Sequence, residues 1–241
     1  MLPRFPSMFF RSLSIAAASI AVIGLQAPAA NAALITNGFT FAVASAGGSL
    51  ATGTHFHSNT GGAFGNPAGK AEVGRYFSEE VRGLSEYDLA GLSNAASAFV
   101  TFNVFKAGGL FSGANDTPFT GSITVEAYAG NNLEDLADYE AASLGTVGSF
   151  AVSPAGVSVG DVFSFDITAL FNTAIANADS SFGIRLRADP VNPDSEAWTF
   201  DNFRLTTDNQ CVGASCDVPE PATLALLGLG IVGLAASSRR K

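Results

Sequence analysis

Several segments in the middle of the chain alternate apolar and polar residues with a period of two. Residues 123–128 alternate in this way, and residues 99–105 are equally rich in β-branched and aromatic side chains. Residues 163–165 and 182–187 repeat the pattern, the last segment with arginines at its polar positions. A period of two is typical of half-buried β-strands. The pattern therefore predicts an all-β core lined by phenylalanine and aliphatic side chains.

Two segments depart from this alternation and indicate helix. Residues 166–175 predict one short helix that begins with Asp166 or Thr168 as N-cap. Residues 131–137 predict a further turn of helix. The apolar face of the first helix is expected at Leu170, Ala174 and Ile175.

The last alternating segment, residues 197–205, changes phase in its middle. Trp198 and Phe200 share one face, whereas the apolar residues that follow would fall on the opposite face of an unbroken strand. We therefore expect a β-bulge at Asp201 and Asn202. Trp198 alternates with core phenylalanines, so we expect it to be buried.

The N-terminal residues have the pattern of a secretory signal peptide. Arg4 and Arg11 precede an apolar stretch at residues 13–25, and small side chains at Ala30 and Ala32 suit signal peptidase. The stretch would be about 20 Å long as a helix, which is short for a hydrocarbon layer of roughly 30 Å. Cleavage after Ala32 is predicted, with an uncleaved anchor as the alternative.

The C-terminal residues form three consecutive parts. Pro219-Glu220-Pro221 precedes residues 222–238, which carry no charge, and Arg239-Arg240-Lys241 follows them. The prolines prevent a helix from continuing upstream, the apolar run is at the lower limit of a transmembrane helix, and the basic tip favours the cytoplasmic side. The pattern predicts a body held outside the membrane, at least before processing.

This tripartite tail resembles the PEP-CTERM sorting signal of exported proteins from Gram-negative bacteria that make extracellular polysaccharide. The resemblance implies export through the inner membrane and recognition of Pro219-Glu220-Pro221 by an exosortase, an integral membrane enzyme that cuts near the motif. Signal peptidase and exosortase would then be the processing partners. The expected destination is the cell surface, the outer membrane or the extracellular matrix. An ordinary tail anchor is the alternative.

The central strands carry a second, looser resemblance, to the galactose-binding-like jelly rolls common in PEP-CTERM proteins. The chain of 241 residues is 47% hydrophobic and 14% charged, which suits one domain with accessory segments. We expect an all-β, jelly-roll-like β-sandwich with one short helix, an N-terminal signal helix and a C-terminal transmembrane helix. The predicted divisions are residues 1–32 (signal), 33–208 (sandwich), 209–218 (linker) and 219–241 (sorting signal).

Charge and cysteine content restrict the chemistry further. The formal net charge is −9, with 12 Lys and Arg against 21 Asp and Glu, so no basic patch is expected for nucleic acid. Cys211 and Cys216 lie close together in the linker and would be exported into an oxidising compartment. A disulfide between them is predicted.

His55 and His57 are the only histidines, and on a strand both would project from one face, near enough to share a metal. The nearest third ligands in sequence are Glu72, Glu79 and Glu80, with no spacing that selects among them. Flanking glycines favour a mobile loop for the pair.

Calcium and sugar binding are the remaining candidates for a site. Asp201 and Asn202 offer hard oxygen ligands at the expected bulge, and the jelly-roll resemblance implies a structural calcium in some relatives. Asp201 alternatively bonds local backbone amides. An aromatic platform for sugar would come from Tyr76, Tyr87, Tyr128, Tyr139 or Trp198.

The sequence thus favours an exported, exosortase-sorted, non-enzymatic surface or matrix protein that binds extracellular polysaccharide. No nucleophile elbow, phosphate loop or dinucleotide fingerprint occurs in the sequence. A secreted glycan-active hydrolase and a purely structural matrix component are the alternatives.

Overall fold

A computed structural model describes residues 33–35, 38–191 and 194–208. The described residues form eleven β-strands and one α-helix, α1 (Thr168–Asn177). The strands are β1 (Ala33–Ile35), β2 (Gly38–Ala46), β3 (Ser49–Ser58), β4 (Ala71–Tyr76), β5 (Glu79–Asp88), β6 (Ala98–Lys106), β7 (Gly121–Gly130), β8 (Ser143–Val152), β9 (Val162–Asp166), β10 (Ser181–Ala188) and β11 (Ala197–Thr207).

All eleven strands belong to one bent, nearly closed antiparallel sheet with the order β8-β7-β10-β5-β4-β11-β6-β9. The remaining strands extend it, because β2 pairs with β5 and β3, and β1 pairs with β11. This arrangement confirms the all-β prediction with one short helix, and it is consistent with a jelly roll. Within the residues described, no helix has the length and apolar content needed to span a membrane.

The main core lies between the two halves of the bent sheet. It is centred on Phe102 of β6, whose ring lies against the rings of Phe150, Phe163, Phe165, Phe200 and Phe203. Trp198 is buried beside them, as predicted, and its indole N–H donates a hydrogen bond of 2.8 Å to the carbonyl oxygen of Phe119. The alternating phenylalanines of the sequence therefore fill one interior.

A second apolar cluster covers the opposite face of part of the sheet. It contains Phe41, Val43, Leu84, Tyr128 and Tyr139. As a result β10 is covered on both faces, and Arg185 is buried rather than projecting into solvent. The prediction that β10 is buried on one face only is therefore wrong at Arg185, because segments that are distant in the sequence pack over this residue.

The predicted bulge in the last strand is confirmed. The pairing of β11 with β6 shifts register between Asp201 and Arg204. Asn202 takes a left-handed backbone conformation there, with φ 52°. Asparagine tolerates this region better than most residues do, so the local sequence suits the shift.

The helical predictions need adjustment at their ends. The N-cap of α1 is Ile167, not Asp166 or Thr168, although the Asp166 carboxylate still accepts a 2.9 Å hydrogen bond from the backbone N–H of Thr168. Phe171 and Ala174 are its buried residues. The second helical turn lies later than predicted, as a 3-10 helix at Leu136–Tyr139 that Asp135 caps through a reciprocal capping box.

The predictions for both ends of the chain lie outside the described residues. They comprise the signal cleavage site at Ala30 and Ala32, the disulfide between Cys211 and Cys216, the Pro-Glu-Pro motif, the C-terminal helix and the basic tip.

Candidate functional site

Both histidines lie on β3, so the prediction of a mobile loop is wrong and the prediction of a shared strand face is correct. Their ring centroids are 5.4 Å apart. His57 is buried because the rings of Tyr76 and Phe111 pack edge-on against it, at centroid distances of 5.0 and 4.9 Å. His55 remains half-buried at the surface.

Glu79 joins the two histidines from the start of β5. Its Oε2 lies 3.4 Å from Nε2 of His55 and 3.8 Å from Nε2 of His57. One ligand atom from each of the three side chains lies within 4.8 Å of the other two. We call these three residues the His-His-Glu cluster.

The other two candidate carboxylates have different roles. Glu72 is fully buried on β4, and its Oε1 lies 3.3 Å from Nδ1 of His57, on the ring edge opposite Glu79. It also accepts hydrogen bonds from the backbone N–H of Leu110 (3.0 Å) and from the side-chain amide of Asn115. Glu80 points elsewhere and pairs with Arg82 at 2.9 Å.

A row of aromatic rings adjoins the His-His-Glu cluster. Phe64 lies 6.3 Å from Phe111, Phe111 lies 5.0 Å from Tyr76, and Tyr76 lies 4.7 Å from Phe77, all measured between ring centroids. We call these four residues the aromatic row. Three of them, Phe64, Tyr76 and Phe111, line a pocket of about 170 Å³ together with the two histidines.

The two ends of the aromatic row are exposed and conformationally strained. Phe64 is 78% exposed with φ 49°, and Phe77 is 62% exposed with φ 50°. Phe77 occupies the two-residue turn between β4 and β5, where Tyr76 pairs with Glu79. A left-handed conformation costs a non-glycine residue about 1–3 kcal/mol. The presence of a bulky apolar residue at both positions therefore points to a role other than stability.

Sequence reasoning missed the phenylalanines of this row. Of the aromatic residues proposed as a sugar platform, Tyr87, Tyr128, Tyr139 and Trp198 are buried, and Tyr76 alone is partly exposed. One signal was available, because Phe64 lies between glycines in a loop-forming stretch and Phe77 precedes Ser78 at a tight turn. Apolar residues in such turns have no core to enter.

Asp201, the predicted calcium ligand, is already paired. Its Oδ2 accepts a 2.8 Å hydrogen bond from the ammonium group of Lys70. A calcium ion there would have to displace or neutralise this partner. Calcium binding at Asp201 and Asn202 therefore stays a prediction.

A second group of carboxyls lies inside the protein, near Tyr128. Glu86 is fully buried and accepts hydrogen bonds from Ser181 (2.6 Å) and from the hydroxyl of Tyr128 (3.2 Å). Burial, together with the nearby Glu86 carboxylate, raises the pKa of Asp138 to about 8. These two carboxyls are buried rather than exposed in a cleft, so their convergence does not indicate a glycosidase.

The raised pKa of Asp138 predicts a pH-dependent stability. The folded protein holds a proton that the unfolded chain releases near its ordinary pKa of 3.8. The free energy of unfolding should therefore fall as pH rises from about 4 to about 8, by up to about 1.4 kcal/mol per pH unit. Urea unfolding across this range measures the slope.

The control for this slope is a pair of matched variants. Asp138→Asn, which mimics the protonated acid, should flatten the slope, whereas Asp161→Asn at an exposed turn should leave it unchanged. An unaltered slope in Asp138→Asn would assign the pH dependence to other groups.

Comparison with known proteins identifies the C-terminal part of the chain. Residues 217–241 match the model of the PEP-CTERM protein-sorting motif. No curated protein matches the chain. The matched residues include the Pro-Glu-Pro motif, the apolar run and the basic tip that the sequence analysis distinguished. The chain thus carries a PEP-CTERM protein-sorting motif, which indicates an exported protein that is targeted to an exosortase for the cell surface or the extracellular space.

Proposed function

We propose that this exported protein is a non-enzymatic surface or matrix protein that binds extracellular polysaccharide through the aromatic row. The sugar ring would lie on the exposed faces of Phe64 and Phe77, with Tyr76 between them offering its hydroxyl. Aromatic rings with a polar group nearby suit a ligand that is apolar on its ring faces and polar at its edge.

The observation that carries this proposal is the strained exposure of the two phenylalanines at the ends of one aromatic row. Backbone strain of this kind concentrates at functional sites, and an exposed apolar surface bordered by polar groups marks a binding region. The two rings are joined through Phe111 and Tyr76, so they belong to one continuous surface.

The charge of the body favours a neutral polysaccharide. Residues 33–218 contain 7 Lys and Arg against 20 Asp and Glu. Such a surface repels an anionic polymer unless a cation lies between them. Neutral glycans should therefore bind better than glycans rich in uronic acid.

We propose that processing delivers this binding domain to its site. Signal peptidase would cut after Ala32, and exosortase would cut near Pro219. Before the second cut, the C-terminal apolar run would hold the chain in the membrane. The matched sorting motif and the small residues at the predicted signal site support this route.

Binding of the full chain to an array of neutral and uronate glycans tests the proposal. Phe64→Ala and Phe77→Ala should each weaken binding about tenfold, the effect of truncating a contributing aromatic anchor. Phe99→Ala, which removes a 38% exposed phenylalanine from β6, is the matched control and should bind as the parent does.

Three outcomes would contradict the proposal. Unchanged binding in both variants would remove the aromatic row from the interaction. Release of new reducing ends from a bound glycan would favour the secreted hydrolase instead. Absence of binding to every glycan by the folded parent chain would favour the structural matrix component.

A further inference from the structure

We infer that His55, His57 and Glu79 form a binding site for a divalent transition metal, with zinc the ion that the ligand set fits best. The site lies beside the aromatic row but does not depend on sugar binding. The two proposals can therefore fail separately.

The spacing of the three side chains fits a tetrahedral zinc ion. Zinc bound at about 2.0–2.2 Å from nitrogen and oxygen ligands requires ligand-to-ligand distances of about 3.3–3.6 Å. The carboxylate oxygen of Glu79 lies 3.4 and 3.8 Å from the Nε2 atoms of His55 and His57. These two distances are therefore close to those of a zinc site, and the ligand atoms of all three side chains lie within 4.8 Å of one another.

The hydrogen bonds of His57 direct its Nε2 lone pair towards Glu79. Glu72 accepts bonds from Leu110 and Asn115, and as a carboxylate it can only accept. Nδ1 of His57 must then be the donor in its contact with Glu72. In a neutral ring this leaves Nε2 unprotonated and available to a metal. A carboxylate behind a histidine is the usual support of a metal ligand.

The Nε2 lone pair of His55 is also directed towards Glu79, here by the hydroxyl group of Thr54. The hydroxyl of Thr54 donates to the carbonyl oxygen of Ala44 at 3.4 Å, which leaves its oxygen to accept from Nδ1 of His55 at 3.1 Å. In the neutral form of the rings, both imidazoles thus present unprotonated Nε2 atoms on one side. These two lone pairs converge on the carboxylate oxygen of Glu79.

The environment of the Glu79 carboxylate independently indicates a cation. Its Oε2 is buried and has no hydrogen-bond partner among the described residues. A buried carboxylate oxygen without a partner costs free energy, and in the neutral form of the rings two imidazole lone pairs facing it add repulsion. A metal ion among the three atoms would remove both penalties.

The donor atoms select the class of metal. Two imidazole nitrogens and one carboxylate suit zinc and its neighbours in the first transition row, whereas calcium and magnesium prefer oxygen ligands alone. Three protein ligands leave a fourth position for water or another small ligand. Because both histidines line the pocket beside the aromatic row, that position is open to exchange.

Titration of the full chain, purified in detergent and stripped of metal, tests this inference. Zinc alone should bind saturably with one ion per chain in calorimetry. His55→Ala and Glu79→Gln should each lose this binding; both sites are partly exposed, so these variants are expected to fold. Glu72→Gln should weaken binding by about 10- to 100-fold, as loss of a supporting carboxylate does.

Cobalt substitution and a matched variant complete the experiment. Cobalt(II) bound to the parent should give the intense visible absorption of a tetrahedral site, which His55→Ala should lack. Asp161→Asn, a carboxylate outside the cluster, should bind zinc as the parent does. Absence of saturable zinc binding in the parent, or zinc binding in His55→Ala and Glu79→Gln as tight as in the parent, would overturn the inference and leave a histidine–carboxylate ion pair only.

Discussion

Replacement of Phe102 with alanine should lower the free energy of unfolding by about 3–5 kcal/mol, the range for truncating a buried aromatic residue. Phe102 is fully buried and contacts five other phenylalanine rings at centroid distances from 4.8 to 5.9 Å. These rings come from three other strands, β8, β9 and β11, so no single neighbour can move to fill the cavity. Urea unfolding measures the change.

The control variant for this experiment lies on the same strand. Phe99 is three residues earlier on β6, faces the opposite side of the sheet and is 38% exposed. Phe99→Ala should change the free energy of unfolding by about 0.5 kcal/mol or less, as surface substitutions generally do. Equal losses in both variants would mean that the ring cluster does not anchor the two halves of the sheet.

The strands that carry this core could be predicted because one face of each is buried. In β6 and β9 the apolar residues repeat at every second position, and burial follows that repeat closely. The bulge of β11 was also visible, since the apolar phase changes at Asp201. The alternation of apolar and polar residues therefore identifies the core residues wherever one face of a strand is exposed to solvent.

The covered outer face of β10 could not be predicted in this way. Its cover comes from β2 and from the 3-10 helix at Leu136–Tyr139, which are distant from β10 in sequence. An arginine in an alternating strand normally indicates a solvated face. The sequence around an arginine does not show whether its side chain lies at the surface or is covered by a distant part of the chain.

The candidate site was predictable only in part for a similar reason. The spacing of His55 and His57 indicated a shared face, but the choice among three glutamates depends on the pairing of β4 with β5. That pairing places Glu79 beside the imidazoles and Glu72 behind one of them. The aromatic row was hidden because Phe111 and Phe64 reach it from separate loops.

The largest effect expected among the charged residues is at Arg185. Its guanidinium group donates to the Glu126 carboxylate at 2.9 Å and to the carbonyl oxygens of Asp138, Tyr139 and Ala141 at 3.2, 3.0 and 3.0 Å. Arg185→Leu would remove this donor from the buried carbonyl oxygens of Asp138 and Ala141, and it would leave Glu126 with Arg187 alone. The free energy of unfolding should fall by about 3–5 kcal/mol, as when one partner of a buried ion pair is removed.

Arg187→Leu is the matched control, because Arg187 lies on the same strand and face and also pairs with Glu126, at 3.1 Å. It is about one-third exposed, so water replaces its contacts and the loss should stay below about 1 kcal/mol. A loss of equal size in the two variants would contradict the idea that burial by the second apolar cluster makes the contacts of Arg185 stronger than those of Arg187.

The pH dependence identifies the cause of the Arg185→Leu effect. Burial raises the pKa of Glu126, but hydrogen bonds and charge from Arg185, then Arg187, outweigh it and hold the pKa below its ordinary value of 4.5. The parent therefore gains stability from Glu126 above pH 4.5 and loses it as pH falls. In Arg185→Leu the Glu126 carboxylate lacks its main partner. Its protonation then removes a poorly compensated charge instead of a stabilising ion pair. The difference between parent and variant should shrink in acid; a constant difference would assign the loss to the three backbone carbonyls alone.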